Sequence, residues 1–177
     1  MQRPVFVSTI LLALSMSIVA PQIVAGNGNG GGNGGGNGGG SLKKTAVLNP
    51  NAPDFTAIFN WGLKIRNVKE LFLIAGHGAH DATGTIMFPD DAVAQTQYIL
   101  DNFDEFLENN GYSRDEIIRI EFTMTTEVSN TDFNQILGLF ADYFAPVNIR
   151  PAAGTLRIVD ALAIPGMQVE YEIWCAK

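Results

Sequence analysis

The sequence predicts an α+β domain in which two helices pack on one face of a mixed β-sheet. Three observations lead to this prediction. Segments with the two-residue period of strands alternate with two segments of helical period, in the order strand, strand, helix, strand, helix, strand, strand. The part of the chain after residue 40 has 137 residues, enough for one domain with a hydrophobic core. A single layer of helices then leaves the second sheet face to be covered by another surface.

The N-terminal segment has the pattern of a secretory signal peptide. Arg3 precedes an apolar run over residues 5–19, and Val24-Ala25-Gly26 offers small residues to a signal peptidase. The run is shorter than the ~20 apolar residues that a membrane span needs. We therefore expect residues 1–25 to be cleaved on export to the periplasm or the extracellular space, leaving no stable membrane span. An uncleaved N-terminal anchor is the alternative.

A low-complexity linker follows the predicted signal peptide. Residues 27–40 are only glycine and asparagine, a composition that cannot bury a core. We expect residues 26–41 to be disordered and residues 42–177 to form the domain. All 18 acidic residues but only 10 of the 11 basic residues lie after residue 40, so nucleic acid is not an expected partner. A single cysteine, Cys175, excludes an internal disulfide and is expected to be a small buried residue.

The elements of the first half of the domain are predicted from their apolar periods. Residues 63–65 and 71–75 flank a short polar connection, which favours a β-hairpin. After a glycine-rich loop that reaches Pro89, a helical stripe begins near Asp90 and ends at Gly111. Ser113 and Glu116 have the spacing of a capping box.

The second half contains one more helix between strands. Residues 118–125 alternate between apolar and polar side chains, as in a strand with one buried face. A helix capped by Asn130 or Thr131 follows and must end before Pro146. Two further strands are expected around residues 155–159 and 168–175, and the latter has Val169, Tyr171, Ile173 and Cys175 on one face.

Three sequence blocks resemble the Rid (YjgF-like) family of enamine/imine deaminases. They are Leu73-Ile74-Ala75-Gly76-His77, Arg150-Pro151-Ala152-Ala153-Gly154-Thr155 and Val169-Glu170-Tyr171-Glu172. Their order and spacing match the family over roughly residues 55–176. The resemblance implies a chorismate-mutase-like α+β fold, a homotrimeric barrel and ligand pockets between subunits. We expect no cofactor and no bound metal.

The resemblance also implies the residues of a site. Glu170 matches the family's catalytic glutamate, Gly76 the loop glycine, and Trp61 lies near an aromatic position. His77 replaces a glutamine, and Leu137 replaces an asparagine of the second helix. Ala153, Gly154 and Thr155 occupy the Pro-Ala-Arg-Ser/Thr motif, which lacks its arginine here. Glu170 could equally be a solvent-facing residue of an exposed sheet face.

Because the motif arginine is missing, the sequence supports more than one function. An arginine–carboxylate contact contributes roughly 1.5–3 kcal/mol per hydrogen bond, so its loss weakens carboxylate binding by at least one to two powers of ten, on the order of 10–100-fold. Arg157 would lie about 13 Å from Ala153 along the strand at ~3.3 Å per residue. The direction of Arg150 cannot be inferred. Either arginine could serve a neighbouring subunit.

Three functions therefore remain open. The first is an exported protein that binds a small molecule between subunits, with the arginine-dependent deaminase activity lost or altered. The second is an enamine/imine deaminase, a hydrolase that uses Glu170 and water on substrates without a carboxylate. The third is metal-assisted hydrolysis through His77, His80 and Asp81, whose spacing is a weak metal motif. Some members of the resembled family are described as ribonucleases, which the acidic composition argues against.

Overall fold

The computed structural model describes residues 40–177. The predicted signal peptide, residues 1–25, and almost all of the predicted linker, residues 26–41, lie outside the described part. Within residues 40–177, no helix has both the length and the apolar character needed to cross a membrane.

The domain contains two sheets and two long helices. Strands β1 (Lys43–Val47) and β2 (Gly62–Arg66) form a two-stranded antiparallel sheet. The main sheet has the strand order β3-β6-β4-β5. Its strands are β3 (Leu71–Gly78), β4 (Ile117–Thr125), β5 (Ala152–Val159) and β6 (Val169–Ala176). Only β4 and β5 are parallel, so the sheet is mixed, as predicted.

The predicted hairpin between residues 63–65 and 71–75 is wrong. Both segments are strands, but β2 pairs with β1 and β3 pairs with β6. The connection between them is instead bonded to the C-terminus, because the backbone N–H groups of Lys69 and Glu70 donate to the carbonyl oxygen of Lys177. Apolar alternation therefore identified the strands but not their partners.

Helices α1 (Ala92–Asn109) and α2 (Asn130–Phe144) begin at side-chain caps. Asp91 accepts a hydrogen bond from the Ala94 N–H at 2.9 Å. The cap of α2 is Ser129, not Asn130 or Thr131, because the Ser129 hydroxyl accepts from the Asp132 N–H at 3.1 Å. Gly111, with φ of 72°, follows α1 as predicted, and the Ser113–Glu116 capping box is present.

The main sheet has one face covered by the two helices. Its buried side chains there include the predicted set of β6, each fully inaccessible: Val169, Tyr171, Ile173 and Cys175. Phe122 of β4 packs edge-on against Phe140 of α2 at 4.9 Å between ring centroids. These contacts confirm the predicted architecture of two helices on one face of a mixed sheet.

The opposite face, which we call the open face, carries charged and apolar side chains. It consists of Leu71, Leu73 and Gly76 of β3, Glu170, Glu172 and Trp174 of β6, Arg119, Glu121 and Thr123 of β4, and Gly154 and Arg157 of β5. Leu71 and Leu73 are 58% and 61% exposed. The open face is therefore where another surface could pack.

Candidate functional site

Gly76 and Glu170 meet at the open face. Between the pairs Ile74–Ile173 and His77–Tyr171 the register shifts, so Ala75 and Gly76 form a bulge opposite Glu172. A Cβ atom at Gly76 would lie 2.9 Å from Cδ of Glu170. The glycine therefore leaves room for the Glu170 carboxylate, which would have to move if position 76 carried a Cβ atom.

Gly154 has the same relation to a different glutamate. The register between β4 and β5 shifts between Ile120–Ala153 and Phe122–Leu156, so Gly154 and Thr155 bulge opposite Glu121. A Cβ atom at Gly154 would lie 2.5 Å from Cγ and 2.7 Å from Cδ of Glu121. The glycine that follows Ala153 in the motif thus makes room for the Glu121 side chain.

Two arginines hold the Glu121 carboxylate over Gly154. Arg119 donates to Oε1 from Nε at 2.9 Å and also from Nη2, while Nη1 of Arg157 lies 2.5 Å from Oε2. Glu121 is 7% exposed, whereas the side chains of Arg119 and Arg157 are 39% and 51% exposed. We call these three residues the Glu121 clamp. The guanidinium of Arg119 also lies 5.3 Å from the ring centre of Trp174.

The clamp stabilises the ionised form of Glu121. Hydrogen bonds from Arg119 lower the pKa of this carboxyl below its ordinary value of 4.5, and Arg157 lowers it further, against the opposing effect of burial. Glu121 is consequently a fixed anion at neutral pH. Glu170, in contrast, is half-buried and receives no hydrogen bond or ion pair from any residue between 40 and 177.

Ala153 and Thr155 differ in their surroundings. Ala153 is the register partner of Ile120, which is fully buried, and its methyl group packs against the hydrophobic core. Thr155 is exposed in the bulge. The position that the resemblance aligns with an arginine therefore carries a small apolar side chain.

His77 lies on the helix side of the sheet, away from Glu170. Its ring packs on Phe103 and Phe106 of α1, with centroid distances of 5.2 and 5.6 Å. Its Nδ1 lies 2.8 Å from the carbonyl oxygen of Ala75, and because a carbonyl only accepts, Nδ1 carries the proton. His77 borders a cleft of about 240 Å³ together with polar side chains of α1, namely Asn102, Glu105 and Asn109.

Trp61 and Arg150 lie beside the start of β5. The indole N–H of Trp61 donates to the carbonyl oxygen of Pro53 at 2.9 Å, and the ring packs edge-on against Phe59. The neighbouring Asn60 N–H donates to the carbonyl oxygen of Pro151 at 2.8 Å. Arg150 donates from Nε to the carbonyl oxygen of Ala57 at 2.9 Å, so in its own protomer it holds this loop.

The remaining sequence candidates have structural contacts. Leu137 packs at the edge of the hydrophobic core. Asp81 accepts hydrogen bonds from Thr83 and Thr85, which stabilise the turn and lower the pKa of its carboxyl. No group of three or more metal-binding side chains occurs within residues 40–177. Burial raises the pKa of the Cys175 thiol to about 12, which keeps it protonated.

A second cleft contains none of the motif residues. It has a volume of about 740 Å³ and lies between β1 and the segments near residues 115 and 148. Its charged lining comprises Lys43, Lys44, Lys69, Asp115, Glu116 and Lys177. Lys44 is committed to structure there, because its ammonium donates to the carbonyl oxygens of Asp115, Ile117 and Ile149.

Sequence reasoning missed Glu121 and Arg119. Both were assigned only to the polar side of a strand. The available signal was Gly154, because a glycine inside a strand often marks a bulge or a close approach by another group. The sequence does not identify which side chain makes that approach, since Glu121 lies on a neighbouring strand.

The chain is similar to one protein family and to several solved structures. The family model described as Endoribonuclease L-PSP matches residues 50–177. The Rid-family protein YyfB of Yersinia pestis, of unknown function, is 23% identical with a TM-score of 0.66, covering 76% of this chain and 98% of its own.

Two further structures are similar over the same share of the chain. YyfA of Yersinia pestis, also a Rid-family protein of unknown function, is 21% identical with a TM-score of 0.52, covering 76% of this chain and all of its own. The yeast protein YEO7 is 20% identical with a TM-score of 0.51, covering 76% of this chain and 99% of its own. At these identities the structures establish a common fold. No curated protein matches the sequence significantly.

Proposed function

Because the chain belongs to the Rid family, the family of the Endoribonuclease L-PSP model, we propose that it binds a small molecule at the open face without arginine-dependent deaminase activity. The proposal depends above all on one observation. Gly76 and Glu170 of the family's site lie together, while the motif arginine is replaced by Ala153, whose methyl group packs into the core. The site thus keeps its acid and lacks its carboxylate anchor.

The form of the open face supports a ligand site. Glu170 presents an unpaired carboxylate over a glycine, and Trp174 provides an aromatic surface on the same face, four residues further along the same strand. Small-molecule sites usually combine a few polar groups with a largely apolar surface. Leu71 and Leu73, both exposed, would be covered if copies of the chain packed on this face.

A titration tests ligand binding. We propose n-butylamine and butyramide as probes, because they offer a cation and a neutral group to Glu170. With ¹⁵N-labelled protein, the Gly76 amide resonance is expected to shift saturably with at least one probe in the wild type and not in Glu170→Ala. Absence of any saturable shift in the wild type would contradict the proposal.

We further propose that the protein is a homotrimer in which the open face is shared between subunits. The family resemblance supports this assembly, and so does the uncovered apolar surface of β3. Sedimentation velocity at several protein concentrations should give the mass of three chains. A monomer at micromolar concentration would contradict it.

We propose that the chain is exported to the periplasm or outside the cell, on the basis of the apolar segment at residues 5–19. N-terminal sequencing of the protein recovered from those fractions should begin near residue 26. An intact N-terminus on membrane-associated protein would support the alternative of an uncleaved anchor.

The second candidate function is an imine hydrolase for substrates without a carboxylate. The unpaired Glu170 carboxylate favours it, since a carboxylate near the reacting carbon can orient and deprotonate water. Water adds to the C=N carbon, and the C–N bond then breaks to give a carbonyl compound and ammonia. Such a substrate needs no arginine.

A trapping assay tests this candidate. A flavin-dependent amine oxidase converts n-butylamine to its imine, and semicarbazide traps the imine that remains. The hydrolase hypothesis predicts less semicarbazone with the wild type and no such effect with Glu170→Gln, while both proteins sediment alike. Equal trapping with and without the wild-type protein would reject it.

A further inference from the structure

On the proposed ligand-binding role of the open face, we infer that Glu121 determines the ligand class by occupying N–H groups of the two arginines of that face, so that the site takes a cationic or neutral ligand and excludes carboxylates. Arg119 and Arg157 are the arginines that the structure brings to this face within residues 40–177. Both bind Glu121.

The geometry leaves few donors to an incoming carboxylate. Oε1 of Glu121 accepts from two nitrogens of Arg119, and Oε2 lies 2.5 Å from Nη1 of Arg157. A carboxylate ligand would have to displace a carboxylate that is tethered to the same strand as Arg119. The tethered group has the advantage of a high effective concentration.

Gly154 leaves the space that the Glu121 side chain fills in this arrangement. Any larger side chain would collide with Cγ and Cδ of Glu121. Gly154 follows Ala153 directly, so the loss of the motif arginine and the space for Glu121 occur at adjacent residues. The Glu121 carboxylate thus binds both Arg119 and Arg157 next to the altered motif.

The net charge of the open face agrees with this assignment. It carries the two arginines and three glutamates, Glu121, Glu170 and Glu172. Together these groups leave one net negative charge, and Glu170 is the carboxylate that lies over Gly76. Such a surface attracts an amine or iminium group and repels a carboxylate.

The test removes only the charge of Glu121. We expect Glu121→Gln to bind butyrate at least about tenfold more tightly than the wild type, because two charge-assisted hydrogen bonds become available to the ligand. The Gly154 amide and the Arg157 Nε–H resonances report binding in ¹⁵N-labelled full-length protein. The triple variant Glu121→Gln, Arg119→Gln and Arg157→Gln, which lacks both arginines, should lose the gain.

Glu172→Gln is the matched control. Glu172 is the cross-strand partner of Glu121 on the same face, but it forms no ion pair with any arginine between residues 40 and 177, and its Oε1 accepts instead from the Trp174 indole N–H. Removing its charge is expected to change butyrate affinity less than about threefold, which is the effect of a screened surface charge. An equal gain in both variants would show a general charge effect and would overturn the inference.

Two results separate this inference from the proposed function. No gain in butyrate binding by folded Glu121→Gln overturns the inference alone, while the wild-type response of Gly76 to butylamine or butyramide decides the proposed function. If Glu121→Gln does not fold, Glu121→Ala gives the same prediction, since it also frees both arginines. Tight butyrate binding by the wild type would likewise overturn the inference.

Discussion

Gly76 and Gly154 are two glycines of the open face that lie directly under glutamate side chains. Each stands in a bulge, and each leaves the space that a glutamate side chain fills. The motif around Ala153 therefore has two features: it lacks an arginine side chain, and its glycine, Gly154, contacts a glutamate of the neighbouring strand. Sequence spacing matched Gly76 and Glu170 to a family site, but the contact of Gly154 with Glu121 depends on strand pairing that no local pattern encodes.

Substituting Gly154 tests this packing. Gly154→Ala places a Cβ atom against Cγ and Cδ of Glu121, so the clamp must shift and the free energy of unfolding should fall by about 1–3 kcal/mol. Urea unfolding at matched protein concentration measures it. Gly138→Ala is the control, because nothing lies within 4 Å of the added Cβ in the exposed middle of α2, and stability should rise by up to about 1 kcal/mol. Equal effects of the two substitutions would contradict the account.

The pKa of Glu121 predicts how the clamp responds to pH. Because hydrogen bonds from the arginines lower this pKa in the folded state, the clamp's contribution to stability is present above about 4.5 and is lost as the pH falls through the folded-state pKa. Wild type should therefore be more stable than Glu121→Gln at pH 7, and the difference should shrink towards pH 3. A difference that is constant over this range, measured by urea unfolding, would disprove the ionised clamp.

At the scale of elements, the sequence predicted which helices and strands form better than it predicted which strands pair. Both helices, the capping box and the buried face of β6 followed from periodicity and capping residues. The hairpin of residues 63–75 did not form, because β6 pairs with β3 and β1 pairs with β2. Strand β1 was not predicted at all. Its five residues are mostly exposed, so no apolar alternation marked it.

Lys44 attaches β1 to the rest of the domain. Its ammonium donates to three backbone carbonyls near β4 and β5, including that of Ile149 at 2.9 Å. We expect Lys44→Met to raise the amide exchange rates of β1 and β2 by tenfold or more, on the order of the ~1.5–3 kcal/mol of a charged hydrogen bond. The exposed neighbour provides the control, as Lys43→Met should leave these rates nearly unchanged. Unchanged exchange in Lys44→Met would show that β1 is held by its pairing alone.

At the scale of the whole molecule, family membership and fold agree with the sequence prediction, while activity depends on a few side chains. Residues 50–177 match the family model, and the solved relatives share the fold at 20–23% identity. Of the residues that the resemblance assigned to a site, Gly76 meets Glu170, whereas His77 packs on α1. Sequence alignment gives positions along the strands, and a bulge between Ile74 and His77 alters which face each later residue occupies.

The most direct test of the central claim is the hydrolysis of an imine that does carry a carboxylate. An amino-acid oxidase generates 2-iminopropanoate from alanine, and the remaining imine is trapped as its semicarbazone. The account predicts that the wild-type protein leaves the trapped amount unchanged, because Ala153 provides no cation and Glu121 occupies Arg119 and Arg157. A clear decrease in semicarbazone, with faster release of ammonia, would contradict it.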